Sequence, residues 1–417
     1  MVRRKDSKGK VLHSREYERR NGTYEYRYYD SSGKLRSVYA KSLKELKSKK
    51  AVIAKNLSDG IRSDFPKLTV NDLFKRWIDL KRGLKANTLS GYAYLYQRFI
   101  ESDFGTNKAA NLKRSDVKAF YNKIAADKQL SLSTIKNINT VLHQVLELGV
   151  EDEYLRYNPS DKALRELSKD PALRPEKKQA LSEAEQMVFE RYLRRMDKSD
   201  RWYPVFTILL WTGMRVGELT GLRERDIDLE NNIIHVRHTL VYFDKGDGRF
   251  GYALNPPKTK AGRRDIPMLP KIKEAFLLQK KYQEEHGITC QITIDGCSDF
   301  IFLNRFGRVW NEVTLNRALK RIIRDCNDQT LSENPDDPIL LPHFTNHTLR
   351  HSIAARMVEA DFKLKAMQTI LGHADAETTI DVYAEASDDL KRKEFEAFEA
   401  YFNSQMAKHM ILSDFDK

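Results

Sequence analysis

Two polar stretches interrupt the hydrophobic pattern of this chain, and they limit its fold more than any other feature. The first, 59–66, begins with Asp-Gly and ends with proline, and the second, 170–178, is rich in proline and charge. Helices and strands rarely run through such segments, because proline lacks a backbone donor and fixes its own φ angle. The 417 residues are therefore predicted to form a multidomain protein. We expect domains at 1–65, 66–170 and 171–402, followed by a C-terminal tail at 403–417.

The first part has the pattern of a small α+β domain. Strand-like stretches at 11–20, 23–29 and 35–40 are separated by turn residues. The capping-box pattern Ser42-Leu43-Lys44-Glu45 then predicts the start of a helix. A three-stranded sheet with this helix on one face leaves its other face rich in arginine and lysine, and such a sheet is able to enter a DNA major groove.

Helical spacing dominates the other two parts. After Thr69, a candidate N-cap, apolar residues recur at helical spacing as far as Asn158-Pro159, which predicts an all-α domain. In the third part, an apolar helix at 203–211 ends before Gly213, and helices dominate 313–402. Strand signals lie between them, at 233–242 and 264–267. This pattern predicts a mainly α domain with a small β-sheet or hairpin.

Positive charge is concentrated towards the start of the chain. The net charge is +14, of which 1–65 contributes +10, 66–180 contributes +7 and the remainder −3. Basic surfaces also serve solubility, but a steep gradient over separate segments favours a polyanionic partner, and double-stranded DNA before a membrane.

Composition excludes several classes of protein. Apolar residues make up 41% of the chain, which rules out disorder throughout. No apolar run approaches the roughly 20 residues that a membrane span needs, and no apolar secretion signal follows the first residues. The three cysteines are too few for a disulfide framework and fit a reducing compartment, so we expect a cytoplasmic, DNA-associated bacterial protein without a membrane partner.

Four short segments of the third part gather residues suited to phosphoryl chemistry. They are Thr212-Gly213-Met214-Arg215-Val216-Gly217-Glu218-Leu219, Lys258-Thr259-Lys260, His347-Thr348-Leu349-Arg350-His351, and Leu371-Gly372-His373 followed by Tyr383. Guanidinium groups stabilise the charge that develops around a reacting phosphorus atom. Lysine or histidine can protonate a leaving alkoxide, and a tyrosine can act as a nucleophile.

Each of these residues also has an ordinary interpretation. Arg215 can pair with Glu218 or Asp226, Lys258 can be a hairpin lysine, and His347 can cap a helix. Taken together and in this order, the residues favour a catalytic function.

A zinc site is the main chemical alternative. His343, His347 and His351 are spaced by four, as ligands on one helix face are. No glutamate follows the first histidine, and Pro342 argues against a helix at His343. A zinc-dependent hydrolase and a DNA-binding regulator with a degenerate catalytic domain stay open as alternatives.

The four segments, ending in Thr378-Thr379-Ile380-Asp381-Val382-Tyr383, resemble the motifs of tyrosine site-specific recombinases, especially integrases of phages and of integrative conjugative elements. The resemblance covers nearly the whole chain. It implies an arm-type DNA-binding domain at 1–65, a core-binding domain at 66–170 and a catalytic domain at 171–402. It also implies that the protein integrates and excises a mobile element, cutting and rejoining DNA through a 3′-phosphotyrosine intermediate.

The resemblance further implies a role for each site residue. Arg215 and Arg350 would clamp the scissile phosphate, Lys258 would protonate the leaving 5′ oxygen, His347 would act as acid and base, His373 would hydrogen-bond the phosphate, and Tyr383 would attack it. Lys260 is an alternative proton donor, because residues two apart on a strand point the same way. The resemblance implies no metal ion, since the arginines, the lysine and the histidines supply the positive charge. It implies no ATP, since the phosphotyrosine conserves the energy of the phosphodiester bond.

The expected partners follow from the same resemblance. They are DNA at core and arm sites, three further copies of the chain in a homotetramer on DNA, and an accessory directionality protein. The aromatic stretch at 390–402 would dock on a neighbouring protomer, or would instead pack on its own domain. Basic residues of the first two domains are the candidate DNA contacts: Arg19, Arg20, Arg27, Lys34, Arg36, Lys81, Arg82, Lys85, Arg98 and Lys136.

Overall fold

The computed structural model describes residues 4–30, 33–58, 68–173, 180–196, 201–245 and 248–374, together with Glu396, Phe398 and Glu399. The chain divides into two compact units. The first comprises Met1–Glu176 and Asp244–Arg249, and the second comprises Lys177–Phe243 and Phe250–Lys417.

The first unit begins with a three-stranded antiparallel sheet, in the order β1 (Glu16–Glu18), β2 (Tyr24–Tyr29) and β3 (Leu35–Ala40), followed by α1 (Leu43–Ser58). The predicted sheet and helix are confirmed. The first strand is shorter than the predicted 11–20, because Arg15 has a φ of 64° and breaks the extended backbone immediately before β1. Leu46 on α1 is fully buried and packs in a small core with Tyr24 and Ala40.

The rest of this unit is helical, as predicted. It contains α2 (Val70–Leu80), α3 (Ala86–Phe99), α4 (Arg114–Lys128) and α5 (Leu132–Glu151). Thr69 caps α2 by accepting a hydrogen bond from the backbone N–H of Asp72, whose carboxylate accepts one from the Thr69 N–H in return. The apolar faces of these helices enclose a core of their own, in which the rings of Phe74 and Tyr96 stack 3.6 Å apart.

The second unit is mainly helical and carries two small sheets. Its helices are α6 (Glu183–Arg195), α7 (Trp202–Thr212), α8 (Val216–Thr220), α9 (Pro270–Glu285), α10 (Glu312–Glu333), α11 (Asn346–Glu359) and α12 (Leu364–Leu371). One sheet has the order β4 (Ile227–Asp228), β5 (Ile233–Val236) and β8 (Arg264–Pro267), and β6 (Thr239–Asp244) pairs with β7 (Phe250–Asn255) in the other. The helix α7 is buried on nearly all sides, and α9 and α11 pack against it.

Two glycines end helices beside each other in this unit. Gly213 follows α7 with a φ of 61°, and Gly372 follows α12 with a φ of 68°. Left-handed backbone of this kind is a common way to stop a helix, and the helix end before Gly213 was predicted from the sequence. Among the described residues, we find no helix with the length and apolar content needed to cross a lipid bilayer.

Candidate active site

The first arginine of the site lies at the break between α7 and α8. Because Gly213 ends α7, Arg215 is placed at the N-cap position of α8, with an exposed side chain. The carboxylate of Glu218, one turn later, accepts hydrogen bonds from the backbone N–H of Arg215 at 3.0 Å and from its Nη1 at 2.8 Å. The pairing that the sequence offered as an ordinary interpretation is therefore real, and it holds the guanidinium near one position.

The second arginine is held by main-chain carbonyls instead. Arg350 lies on α11 and is buried, and it donates from Nη1 to the carbonyl of Gly213 at 2.6 Å and from Nη2 to that of Leu371 at 2.7 Å. Both carbonyls lie at helix C-termini, where the helix dipole favours a cation. Burial and then the charge of Arg215 lower the pKa of Arg350 to about 9, so at neutral pH the group is still a cation.

Three of the predicted residues line one cavity. It has a volume of about 560 Å³, and Arg215, His347 and Arg350 form part of its wall, with Tyr242 and Asn316 among the other lining residues. His347 is exposed near the start of α11, one turn before Arg350, so the two residues lie on the same side of the helix.

His373 lies beside these cations. The turn at Gly372 places it directly after α12, and its side chain is buried. Burial, and then the positive charges of Arg350, Arg215 and Arg264, lower the pKa of His373 from 6.5 to about 4. At neutral pH its imidazole is therefore uncharged, and one ring nitrogen carries a proton that it can donate in a hydrogen bond.

Lys258 and Lys260 do not lie on a strand. Both are exposed in the connection between β7 and β8, where Thr259 caps a short 3-10 turn over Lys260–Gly262. The argument that both lysines point the same way along a strand is therefore wrong, because this turn ends the extended backbone. Neither lysine is among the residues that line the cavity. Tyr383 lies outside the described residues.

A buried arginine that the sequence analysis did not single out lies next to this loop. The guanidinium of Arg264, on β8, pairs with both carboxylate oxygens of Glu218, at 2.9 and 3.2 Å. Burial alone would raise the pKa of Glu218, but Arg264 and Arg215 outweigh it and leave that pKa below its ordinary value. Alternation along β8 puts Arg264 on the same buried face as Ile266, and a charged residue at such a position was the available signal for a buried partner.

The three histidines of the zinc alternative do not share one helix face. His343 precedes α11 in a segment without helical structure, whereas His347 and His351 lie on the helix with their ring centroids 4.7 Å apart. In the part of the chain that the structure describes, no group of three potential ligands is arranged to hold a metal ion.

The N-terminal sheet separates its candidate DNA contacts between two faces. Arg27 pairs in register with Ser37 on the face away from the small core, and its guanidinium lies 4.8 Å from the ring centre of Tyr17. Arg19 lies over Tyr39 on this same face, at 5.0 Å. Arg36 is one residue out of phase and therefore lies on the opposite face, where it pairs with Asp30 at 2.8 Å. Arg36 thus does not share the surface on which it was predicted.

The remaining candidate contacts lie at the surface. Arg20 and Lys34 are exposed at the ends of strands, and Arg82, Arg98 and Lys136 are exposed on or beside the helices. Lys81 and Lys85, at the end of α2 and the start of α3, are half-buried. The ammonium of Lys81 lies 4.9 Å from the ring centre of Trp77 and donates to Gln144.

Comparison with known families identifies this arrangement. A family model described as the phage integrase family matches 179–389, and a model of the DNA-binding domain of Tn916 integrase matches 1–57. The chain belongs to the phage integrase family. It is therefore a tyrosine recombinase, which cuts and rejoins DNA strands through a 3′-phosphotyrosine intermediate to integrate and excise a mobile element.

Individual relatives agree with this assignment. The recombinase is 29% identical over 400 residues to the transposase from transposon Tn916 of Enterococcus faecalis, which covers 93% of this chain and 94% of the relative. The transposase from transposon Tn1545 of Streptococcus pneumoniae matches to the same extent. Among solved structures, the Tn1549 transposon integrase in complex with transposon right-end DNA is 30% identical, with a TM-score of 0.67 over 79% of this chain and 99% of that one.

Proposed function

We propose that Arg215 and Arg350 bind the non-bridging oxygens of the scissile phosphate in the cavity that both line. The observation that carries this proposal is that the two guanidinium groups are anchored independently, Arg215 by Glu218 and Arg350 by the carbonyls of Gly213 and Leu371. Those carbonyl bonds use two of the five N–H donors of Arg350, which leaves three for the phosphate. Cationic donors fixed in advance stabilise developing charge without reorganisation during the reaction.

The phenol oxygen of Tyr383 would then attack the phosphorus atom. A bond forms between that oxygen and phosphorus, and the bond from phosphorus to the 5′ oxygen breaks. His347, which lines the cavity, accepts the phenol proton, and Lys258 gives a proton to the departing 5′ oxygen. His373 donates a hydrogen bond to the phosphate as a neutral imidazole, which its lowered pKa favours.

A nicked DNA substrate that traps the cleaved state tests these roles. The recombinase should form a covalent adduct with this DNA in the presence of a chelator, and peptide mapping should find the DNA on Tyr383. Tyr383→Phe should form no adduct. A DNA-binding regulator would bind the DNA without forming an adduct. A zinc-dependent hydrolase would lose its cleavage activity in the chelator, and Tyr383→Phe would leave that activity unchanged.

The two arginines have their own test on the same substrate. Arg215→Ala and Arg350→Ala should lower the rate of adduct formation by at least about 10²-fold, because each removes a donor to developing charge. DNA affinity, measured by gel shift, should change little. Loss of DNA binding in both variants would instead mean that the residues support the fold.

We also propose that the parts of the first unit divide DNA recognition between them. Residues 1–65 bind arm-type sites through the sheet face that carries Arg19 and Arg27, and 66–170 bind the core site. Exposed cations on both parts and the positive charge of these segments support this division. Domain boundaries at 65, 170 and 402 are part of the same proposal.

On DNA, the recombinase would act as a homotetramer in which the aromatic stretch at 390–402 docks on a neighbouring protomer, with direction set by an accessory protein. Phe398 supports the docking, because 60% of its surface is exposed. Phe398→Asp should prevent the four-protomer complex in sedimentation on DNA while leaving the binding of one protomer intact. An unchanged tetramer would favour packing on the same domain.

A further inference from the structure

Arg264 has no part in the reaction as proposed above, yet its guanidinium is among the most constrained in the described chain. The side chain is 2% exposed. Nε donates to the carbonyl of Ile370 at 2.6 Å, Nη1 donates to that of Gly262 at 3.2 Å, and Nη1 and Nη2 both bond Glu218. One planar group thus joins three segments that are distant in the sequence.

Each of these segments carries a proposed site residue. Glu218 holds Arg215, Ile370 belongs to the last turn of α12 before His373, and Gly262 closes the turn that follows Lys258. A buried guanidinium needs hydrogen-bond partners for its remaining N–H groups, and here those partners come from three segments that each carry a site residue. The bonds of Arg264 therefore fix these segments against one another as well as balancing charge.

The loop that carries Lys258 is itself compact. Gly262 donates its N–H to Thr259, and a Cβ on Gly262 would lie 2.7 Å from the Cβ of Pro257. A rigid loop held at Gly262 has little freedom at Lys258, four residues earlier.

This loop also packs directly against the turn of His373. A Cβ on Gly372 would lie 2.9 Å from Nη1 of Arg264 and 3.0 Å from the carbonyl oxygen of Ala261. Only a glycine allows this approach, so the guanidinium, the loop and the turn are in contact.

We infer that Arg264 is a positioning residue, which sets the loop of Lys258 against the phosphate-binding groups so that the proton donor meets the leaving 5′ oxygen. The inference rests on the role proposed for Lys258. Misplacing a reacting group by about 1 Å can cost about 10²-fold in rate, so a change at Arg264 that shifts this loop should slow proton donation.

Replacing the leaving oxygen with sulfur tests this inference. A substrate with a bridging 5′ sulfur at the scissile phosphate leaves as a thiolate, which needs no proton because a thiol is far more acidic than an alcohol. Any variant that harms only proton donation should therefore be slow on the oxygen substrate and recover on the sulfur substrate.

Arg264→Lys is the principal variant. It keeps a cation for Glu218, but one ammonium cannot also reach the carbonyls of Ile370 and Gly262. We expect single-turnover cleavage of the oxygen substrate to fall about 10²-fold and that of the sulfur substrate to stay within a few fold of wild type. Arg264→Gln, whose folding is checked by thermal denaturation, should show the same ratio if it folds. The neighbouring Arg263, which is exposed, gives the matched control Arg263→Lys, with an unchanged ratio.

Three outcomes would overturn the inference. If Arg264→Lys lowers the cleavage rate equally on both substrates, Arg264 acts through Arg215 or through the fold. If the variant lowers neither rate, Arg264 has no positioning role. Lys258→Ala should recover on the sulfur substrate, and Arg215→Ala should not. If Lys258→Ala fails to recover, the role of Lys258 as proton donor falls and the inference falls with it; if it recovers and Arg264→Lys does not, only the inference falls.

Discussion

At the scale of single residues, the charge that each arginine of the cavity can offer a ligand depends on whether its hydrogen-bond partner is a carboxylate or a carbonyl. Arg215 faces a carboxylate that it shares with Arg264, whereas Arg350 faces only carbonyl dipoles among its hydrogen-bond partners in the described chain. A carbonyl fixes a guanidinium without cancelling its charge. Arg350 therefore keeps its full positive charge for a phosphate while Glu218 partly offsets the other two arginines.

The uncharged state of His373 has a consequence for stability against pH. Its pKa is about 4 in the folded chain and near 6.5 when unfolded, so between these values the unfolded chain binds a proton that the folded chain does not. The free energy of unfolding should therefore fall as pH is lowered from about 6.5 to about 4, and this contribution should be fully present above 6.5. Urea denaturation at a series of pH values measures it.

His373→Asn is the comparison that isolates this effect. Burial and Arg223 also lower the pKa of His238, so some loss of stability towards acid pH will persist in the variant. The difference between wild type and His373→Asn should shrink as pH falls through this window. A difference that is constant with pH would mean that His373 has the same pKa in the folded and the unfolded chain.

The sequence could predict that Arg215, His347 and Arg350 lie close together, but it could not predict the contacts of single residues. Arg215, His347 and Arg350 were found from their motifs, because helix breaks and helical spacing are local properties. Arg264 was missed because two of its partners lie 46 and 106 residues away in the sequence, and the alternation along β8 signals a buried charge without identifying them. The same limit applies to Arg36, whose face of the sheet depends on the strand register.

At the scale of elements, the ends of helices position the site. Two helices stop at glycines with left-handed backbone, and the carbonyls next to those stops bond Arg350. The ends are also packed tightly: a Cβ on Gly213 would lie 2.6 Å from Cδ2 of Leu371 and 3.0 Å from Cγ2 of Ile353.

Gly213→Ala should therefore destabilise the recombinase by about 1–3 kcal/mol, because the new methyl group both meets Leu371 and disfavours the positive φ. Thermal denaturation measures the loss. The matched control is Gly91→Ala on α3, where a Cβ meets nothing within 4 Å. That control should be neutral or stabilising by up to about 1 kcal/mol, since alanine favours a helix. Equal melting temperatures for the two variants would contradict the packing argument.

Elements were predictable where a local signal sets their boundary. Ser42 and Thr69 each precede a helix that the sequence predicted from its cap. Prediction failed at two turns, at Arg15 before β1 and after Lys258. The second turn is closed by the side chain of Thr259, which accepts a hydrogen bond from the N–H of Gly262, and the strand interpretation did not use this local signal.

At the scale of the whole molecule, charge and chemistry lie in different parts of the chain. Positive charge is concentrated in 1–180, whereas the proposed phosphate-binding residues lie beyond it, in a part with a net charge of −3. Non-specific attraction to DNA and strand cleavage should therefore be separable by deletion.

Deleting 1–65 should abolish binding to arm-type DNA while cleavage of a nicked core site continues. It should also lower the salt dependence of binding to a duplex that carries both sites, by about 0.9 in the logarithmic slope for each lost phosphate contact. Gel shifts at several salt concentrations and the adduct assay provide the two measurements. Normal arm-site affinity in the deletion would overturn the assignment of this domain.

The two carbonyl bonds of Arg350 also bear on how this enzyme selects its targets. Because they are intramolecular, the proposed phosphate receptor has its shape before any strand is engaged, and little free energy goes into assembling it when DNA binds. A receptor of this kind binds every phosphodiester alike, so selection of one DNA target sequence over another has to come from surfaces elsewhere in the chain. Attempts to redirect the enzyme to new insertion loci should therefore leave α11 and the two helix-ending glycines untouched and diversify the basic helices and the sheet.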